Sequence, residues 1–136
     1  MPQIRERSDP AKGPLIEVEI SYPASLLRPG LVPASMTVIL LVDTGASRTM
    51  IDQSIADALS LDLVGQRPLH TVANIVNTNV YVGDFGFPNT AWSHAGMQLP
   101  IIPKRPIHAF GVLGRDILNQ GKLEYDGINH EFVLTL

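Results

Sequence analysis

The chain has no cysteine among its 136 residues, which excludes disulfide bonds and thiol chemistry and leaves both reducing and oxidising compartments open. No apolar run reaches the length needed to span a bilayer. The N-terminus lacks the positive-then-apolar plan of a secretory signal. Membrane insertion is therefore not expected, and the cytoplasm is the default expectation for location. The four histidines, His70, His94, His108 and His130, show no ligand spacing such as His-Glu-x-x-His, so neither a metal nor another cofactor is expected. Ten Lys and Arg against thirteen Asp and Glu give a net charge of −3, which offers no footprint for nucleic acid. Repeats and low-complexity tracts are absent as well.

What is present is enough for a packed core. At 45% hydrophobic content the chain is expected to form one domain without help from metal or disulfide. Residues 1–13 are polar and charged, with Pro and Gly, and are expected to be flexible, leaving 14–136 as the folded domain. Leu15 to Ile20 alternates as a strand does, and Pro23 to Pro33 is a Pro-containing loop. Trp92 is expected in a loop or strand edge packed on the body.

The residue that most needs explaining is Asp43. It ends the apolar run Val38-Ile39-Leu40-Leu41-Val42 and opens the turn Thr44-Gly45-Ala46-Ser47. A carboxylate at the end of a buried strand is costly unless it is hydrogen-bonded or paired. Gly45 permits close backbone approach, Thr44 carries a short hydroxyl, and Ala46 and Ser47 add little bulk. Two uses are open at this point: an Asx-type turn closing the strand, or a functional carboxylate held rigidly in open space.

A second segment bears on that choice. Phe110-Gly111-Val112-Leu113-Gly114-Arg115-Asp116-Ile117-Leu118 reads as another apolar strand, interrupted by Gly and followed by a short helix with Ile117 and Leu118 inward. An apolar strand running into Asp-Thr-Gly-Ala, with apolar-Gly-Arg-Asp-x-Leu later in the chain, resembles the retropepsin-type aspartic proteases. These are the single-domain viral enzymes and their cellular and bacterial relatives, and the pattern here is most similar to the latter two. The likeness continues through Ile51 to Leu61, a short helix with Asp52 as its N-cap. It ends in a hairpin around Asp126-Gly127.

The resemblance implies an all-β, closed-barrel-like fold with one or two short helices. It further implies an aspartic endopeptidase that hydrolyses peptide bonds in extended segments without a cofactor. Such chemistry needs two carboxylates, and the chain has one Asp-Thr-Gly. The second must come from another copy, so the expected partners are the chain itself, as a symmetric homodimer, and a peptide or protein substrate. A residue on a two-fold axis necessarily meets its own copy. Asp43 is then catalytic, with Thr44, Gly45 and Ala46 supporting the turn. Thr44 either reaches across to the partner's main chain, as in the family, or bonds within its own chain. Ala46 stands where pepsin-like members carry a hydroxyl, so activity is expected at weakly rather than strongly acid pH.

Gly114, Arg115 and Asp116 are expected to be structural near the site. Retroviral enzymes place an acid where this chain has Ser47, so the partner of Arg115 is open among Asp116, Asp126 and main-chain carbonyls. A flap is expected between Arg67 and Phe87, with Ala73, Asn74, Ile75, Val76 and Asn77 at or near its tip, where family flaps are usually glycine-rich. Glu131 to Leu136 is strand-like and serves either an interleaved sheet between two copies or the chain's own sheet. The competing class is a dimerisation or peptide-binding module that keeps the fold with little or no protease activity. A phosphatase- or ATPase-type aspartyl nucleophile is excluded, because the Lys or second Asp those motifs need is missing around Asp43.

Overall fold

Period-two alternation sets most of the architecture. In β2 (Gly13–Ser21) Ile16, Val18 and Ile20 turn inward while Glu17 and Glu19 face water. In β3 (Ser35–Val42) Val38, Leu40 and Val42 meet them from the neighbouring strand, with Val18 opposite Val38 and Ile16 opposite Leu40. The computed structural model describes residues 1–136. The other elements are β1 (Gln3–Asp9), β4 (Met50–Ile51), α1 (Gln53–Ala58), β5 (Asp62–His70), β6 (Ile75–Gly86) and β7 (Ser93–Pro100). After these come β8 (Gly111–Leu113), α2 (Arg115–Leu118), β9 (Lys122–Asp126) and β10 (Glu131–Thr135).

The fold is all-β with two short helices. The strands run in the order β4-β8-β3-β2-β1-β10-β9, and β6 branches from β2 with β5 and β7 as its own neighbours. The two ends of the path, β4 and β9, do not pair with each other, so the sheet bends around its core as an open structure. Inside lies one cluster of 21 buried apolar residues drawn from strands, α1, α2 and the chain end. Phe85 meets Phe87 and Trp92 edge-on, and Phe87 and Trp92 are tilted at 46°, which places Trp92 against the body as expected. Asp52 caps α1 by accepting the Ser54 N–H at 3.2 Å. No helix is long and apolar enough to cross a membrane.

Two expectations are corrected, and one open alternative is resolved. Residues 1–13 are not a flexible lead-in, because Gln3–Asp9 forms β1 and pairs with β10 from Gln3 opposite Thr135 to Arg7 opposite Glu131. Polar composition misled here, since Arg5, Arg7 and Asp9 share the exposed face while Ile4 and Ser8 turn to the other, and Arg5 pairs with Glu131 at 2.8 Å. The C-terminal strand, in turn, lies between β1 and β9 of its own chain, with Phe132 and Leu134 fully buried. It completes the chain's own sheet, and both of its hydrogen-bonding edges are used.

The second correction concerns the hairpin of β5 and β6. Its tip is Thr71-Val72-Ala73-Asn74, so Ala73 and Asn74 lie in the turn while Ile75, Val76 and Asn77 belong to β6, opposite His70, Leu69 and Pro68. Side chains decide the placement. Thr71 N–H donates to the Asn74 carbonyl at 2.8 Å, the Thr71 hydroxyl donates to the same oxygen, and the Asn74 N–H donates back to that hydroxyl.

Candidate active site

The site is built where two parallel strands end side by side. β3 and β8 pair in parallel, Leu41 with Val112 and Val42 with Leu113, and β4 closes on the far edge of β8. Asp43 emerges from β3 with its N–H donating to the Leu113 carbonyl at 3.0 Å. The turn is then fastened from both sides: Ala46 N–H donates to the Asp43 carbonyl at 3.1 Å and Arg115 N–H to the Ala46 carbonyl at 2.9 Å. The Asp43 carboxylate accepts the Gly45 N–H on Oδ1 at 2.9 Å. The Asx-type turn and a held carboxylate are therefore the same feature.

Two glycines are required by close approach. A Cβ on Gly45 would stand 3.1 Å from Asp43 Oδ1, against the atom whose freedom matters most. A Cβ on Gly114 would lie 2.4 Å from the Arg48 carbonyl carbon, so the strand-to-helix corner passes the turn with no room for a side chain.

Arg115 and Asp116 divide the work of holding the turn. Arg115 Nη1 donates to the Thr44 carbonyl at 2.8 Å, which settles its partner as a main-chain oxygen. Asp116 faces the other way. Its carboxylate accepts the Thr49 N–H at 2.9 and 3.0 Å, the Thr49 hydroxyl at 2.7 Å and its own helix's Ile117 N–H at 2.9 Å. The Thr49 hydroxyl also accepts the Gly114 N–H at 3.1 Å. Thr49 is fully buried, and sequence reasoning missed it; the only clue is a hydroxyl residue directly before the apolar pair Met50-Ile51. The Thr44 side chain is exposed and has no hydrogen-bond partner in its own chain.

Asp43, Gly45 and Ala46 line a cleft of about 1120 Å³ together with Ser47 and Arg48 of the same loop and Met50 of β4. The arm of β5 from Gln66 to His70 also lines it, with Thr71 and Val72 of the tip, and so do Thr78, Pro100, Ile102, Pro103, Lys104 and Arg115. The structure thus brings together the turn, Arg115 and the hairpin. Of the residues expected for the flap tip, none of Ala73 to Asn77 lines the cleft; Thr71 and Val72 do. On its other side Asp43 borders a smaller hollow of about 370 Å³ with Pro14, Val42, Thr44, Leu123 and Tyr125.

A family model described as aspartyl protease matches residues 34–117, from β3 through most of α2. The chain belongs to the aspartyl protease family. Among solved structures, a retropepsin-like aspartic protease from Rickettsia conorii is similar, with a TM-score of 0.60 and 15% identity over 98% of this chain and 90% of that one. At that identity the likeness speaks to the fold, which is retropepsin-like. No curated protein sequence matches. The matched stretch of this aspartyl protease family member holds both the Asp43 turn and the Gly114-Arg115-Asp116 corner, so the family signature and the hydrogen-bonded site coincide.

Proposed function

We propose that the chain is an aspartic endopeptidase whose site is assembled from two copies, each contributing Asp43. The observation that carries the reading is that Asp43 is the one Asp or Glu lining the large cleft. One carboxyl cannot be ionised base and protonated hydrogen-bond donor in the same step, whereas a two-fold partner supplies the second from the same surface. The exposed, unpartnered Thr44 hydroxyl and the apolar hollow of Pro14, Val42, Leu123 and Tyr125 beside Asp43 support a second copy seated over this edge.

In such a pair the two carboxyls hold one proton between them, the established behaviour of aspartic protease dyads. The ionised member takes a proton from water as it attacks the scissile carbonyl carbon, and the protonated member donates a hydrogen bond to the carbonyl oxygen. The tetrahedral intermediate then collapses, with proton transfer to the leaving amine. Gly45 keeps one carboxylate oxygen oriented, Ala46 leaves space beside it, and Arg115 braces the turn from behind.

The hairpin of β5 and β6 serves as the lid. Beyond Asn77 and Pro68 its strands pair only with each other, and a two-stranded ribbon is marginal alone and can move as a unit. An extended peptide laid under it gains main-chain hydrogen bonds as an added strand would. The test is cleavage of an unbiased peptide mixture by wild type and Asp43→Asn at concentrations that populate a dimer. Cleavage by the wild type that is lost in the variant and blocked by a statine-type mimic supports the reading. A dimer that binds peptides without cutting them would make the chain a binding module instead.

A further inference from the structure

We propose that the cleft selects acidic segments, with Arg48, Arg67 and Lys104 as the residues that read them; this rests on the endopeptidase reading and names its substrate class. Charge is distributed very unevenly. The chain as a whole carries −3, yet four of its ten Lys and Arg line this cleft and only one of its thirteen Asp and Glu does, Asp43 itself.

Three of these cations are uncommitted. Arg115 is held by the Thr44 carbonyl. Arg67 Nη2 donates to the side-chain oxygen of Gln98 at 3.2 Å, a neutral partner. Neither Arg48 nor Lys104 pairs with a carboxylate, since the two ion pairs of the chain are Arg5 with Glu131 and Lys122 with Glu124. The three come from separate elements: the loop after Asp43, the β5 arm and the segment following β7. A peptide lying along the cleft therefore meets positive charge at several points, with Met50, Leu69 and Ile102 offering apolar contacts between them. Asp and Glu side chains in such a peptide would find guanidinium forks and an ammonium in a partly enclosed space, where screening is weaker than in open solvent. These substrate carboxylates ionise near pH 4, so the selection operates at weakly acid pH and fades below about 4.

The test uses two peptides that differ only in Glu against Gln on either side of an apolar core. Binding is read by fluorescence anisotropy on Asp43→Asn protein, and cleavage on the wild type. The Glu peptide is expected to bind about tenfold more tightly at low salt, with the advantage shrinking as salt rises. Arg48→Gln, Arg67→Gln and Lys104→Gln should each raise KM for the Glu peptide by a larger factor than for the Gln peptide, narrowing the ratio between them. Arg28→Gln, in the exposed loop outside the cleft, should change neither.

Equal binding of the two peptides, or a Glu advantage that survives the triple Gln variant, overturns the inference. So does polyphosphate binding as tight as the Glu peptide, which makes the cleft a general anion site. Loss of dimer in the triple variant, read by sedimentation, assigns the cations to the second copy and also overturns it. Selective binding without cleavage by the wild type keeps the acidic preference and overturns the endopeptidase reading, whereas cleavage without selectivity does the reverse.

Discussion

The hydroxyl of Thr49 donates to Oδ1 of Asp116 at 2.7 Å and accepts the Gly114 N–H at 3.1 Å, tying the loop after Asp43 to the corner before α2. The contact is buried on the Thr49 side, so removing it leaves polar groups without partners. Thr49→Val, which keeps the shape, should lower stability by about 1–3 kcal/mol in urea unfolding. Because the same loop carries Asp43, kcat should fall as well. A double-mutant cycle with Asp116→Asn should show strong coupling; additive effects would separate the two residues.

Gly45→Ala tests the turn in a different way. The new Cβ would crowd Asp43 Oδ1 at 3.1 Å, where small displacement of a catalytic group is expensive in rate. The expected result is a large loss of kcat with a midpoint of urea unfolding close to wild type. Equal activity would show that the Asp43 carboxylate has slack.

The chain end is part of the core. Deleting residues 131–136 removes Phe132 and Leu134, both fully buried, together with the strand that joins β1 to β9. The truncated chain should fail to fold, seen as loss of near-UV circular dichroism. Phe132→Ala should cost about 3–5 kcal/mol. A folded truncated chain with a weakened dimer would instead assign β10 to the subunit interface.

The β9–β10 turn confers acid sensitivity. The Asn129 main-chain N–H and then its side-chain amide, with the Ile128 N–H in support, hold the Asp126 carboxyl below the usual carboxylate range. A folded-state pKa below the unfolded value of about 3.9 means stabilisation that is present above that value and is lost as pH falls through the folded one. Asp126→Ala should therefore lower the urea midpoint at neutral pH, with the difference from wild type closing below about pH 4. A difference independent of pH would place the turn's contribution in backbone geometry alone.

The sequence made the site legible where residue type and position are tightly coupled. Asp43 ends an apolar strand, Gly114 and Arg115 follow another, and the topology brings these two strand ends together. Asp52 as a cap and Ile117 with Leu118 as an inward pair were equally readable, since capping and burial are local. What escaped is non-local. The pairing of β1 with β10 joins opposite ends of the chain, and nothing within Gln3–Asp9 distinguishes a charged strand from a flexible tail. Thr49 escaped because its partner lies 67 residues away. The hairpin tip shifted by a few residues because the Thr71 and Asn74 side chains outrank the apolar Ile75 and Val76 in choosing where the chain turns.

Whether one site needs Asp43 from two chains is decided by mixing subunits. Wild type and Asp43→Asn are combined at constant total concentration, allowed to exchange, and assayed for peptide cleavage as the wild-type fraction varies. If both carboxyls are required, activity follows the square of that fraction, about one quarter at equal mixing. Activity in direct proportion to the wild-type fraction would mean that each chain works alone, with a single Asp43 per site.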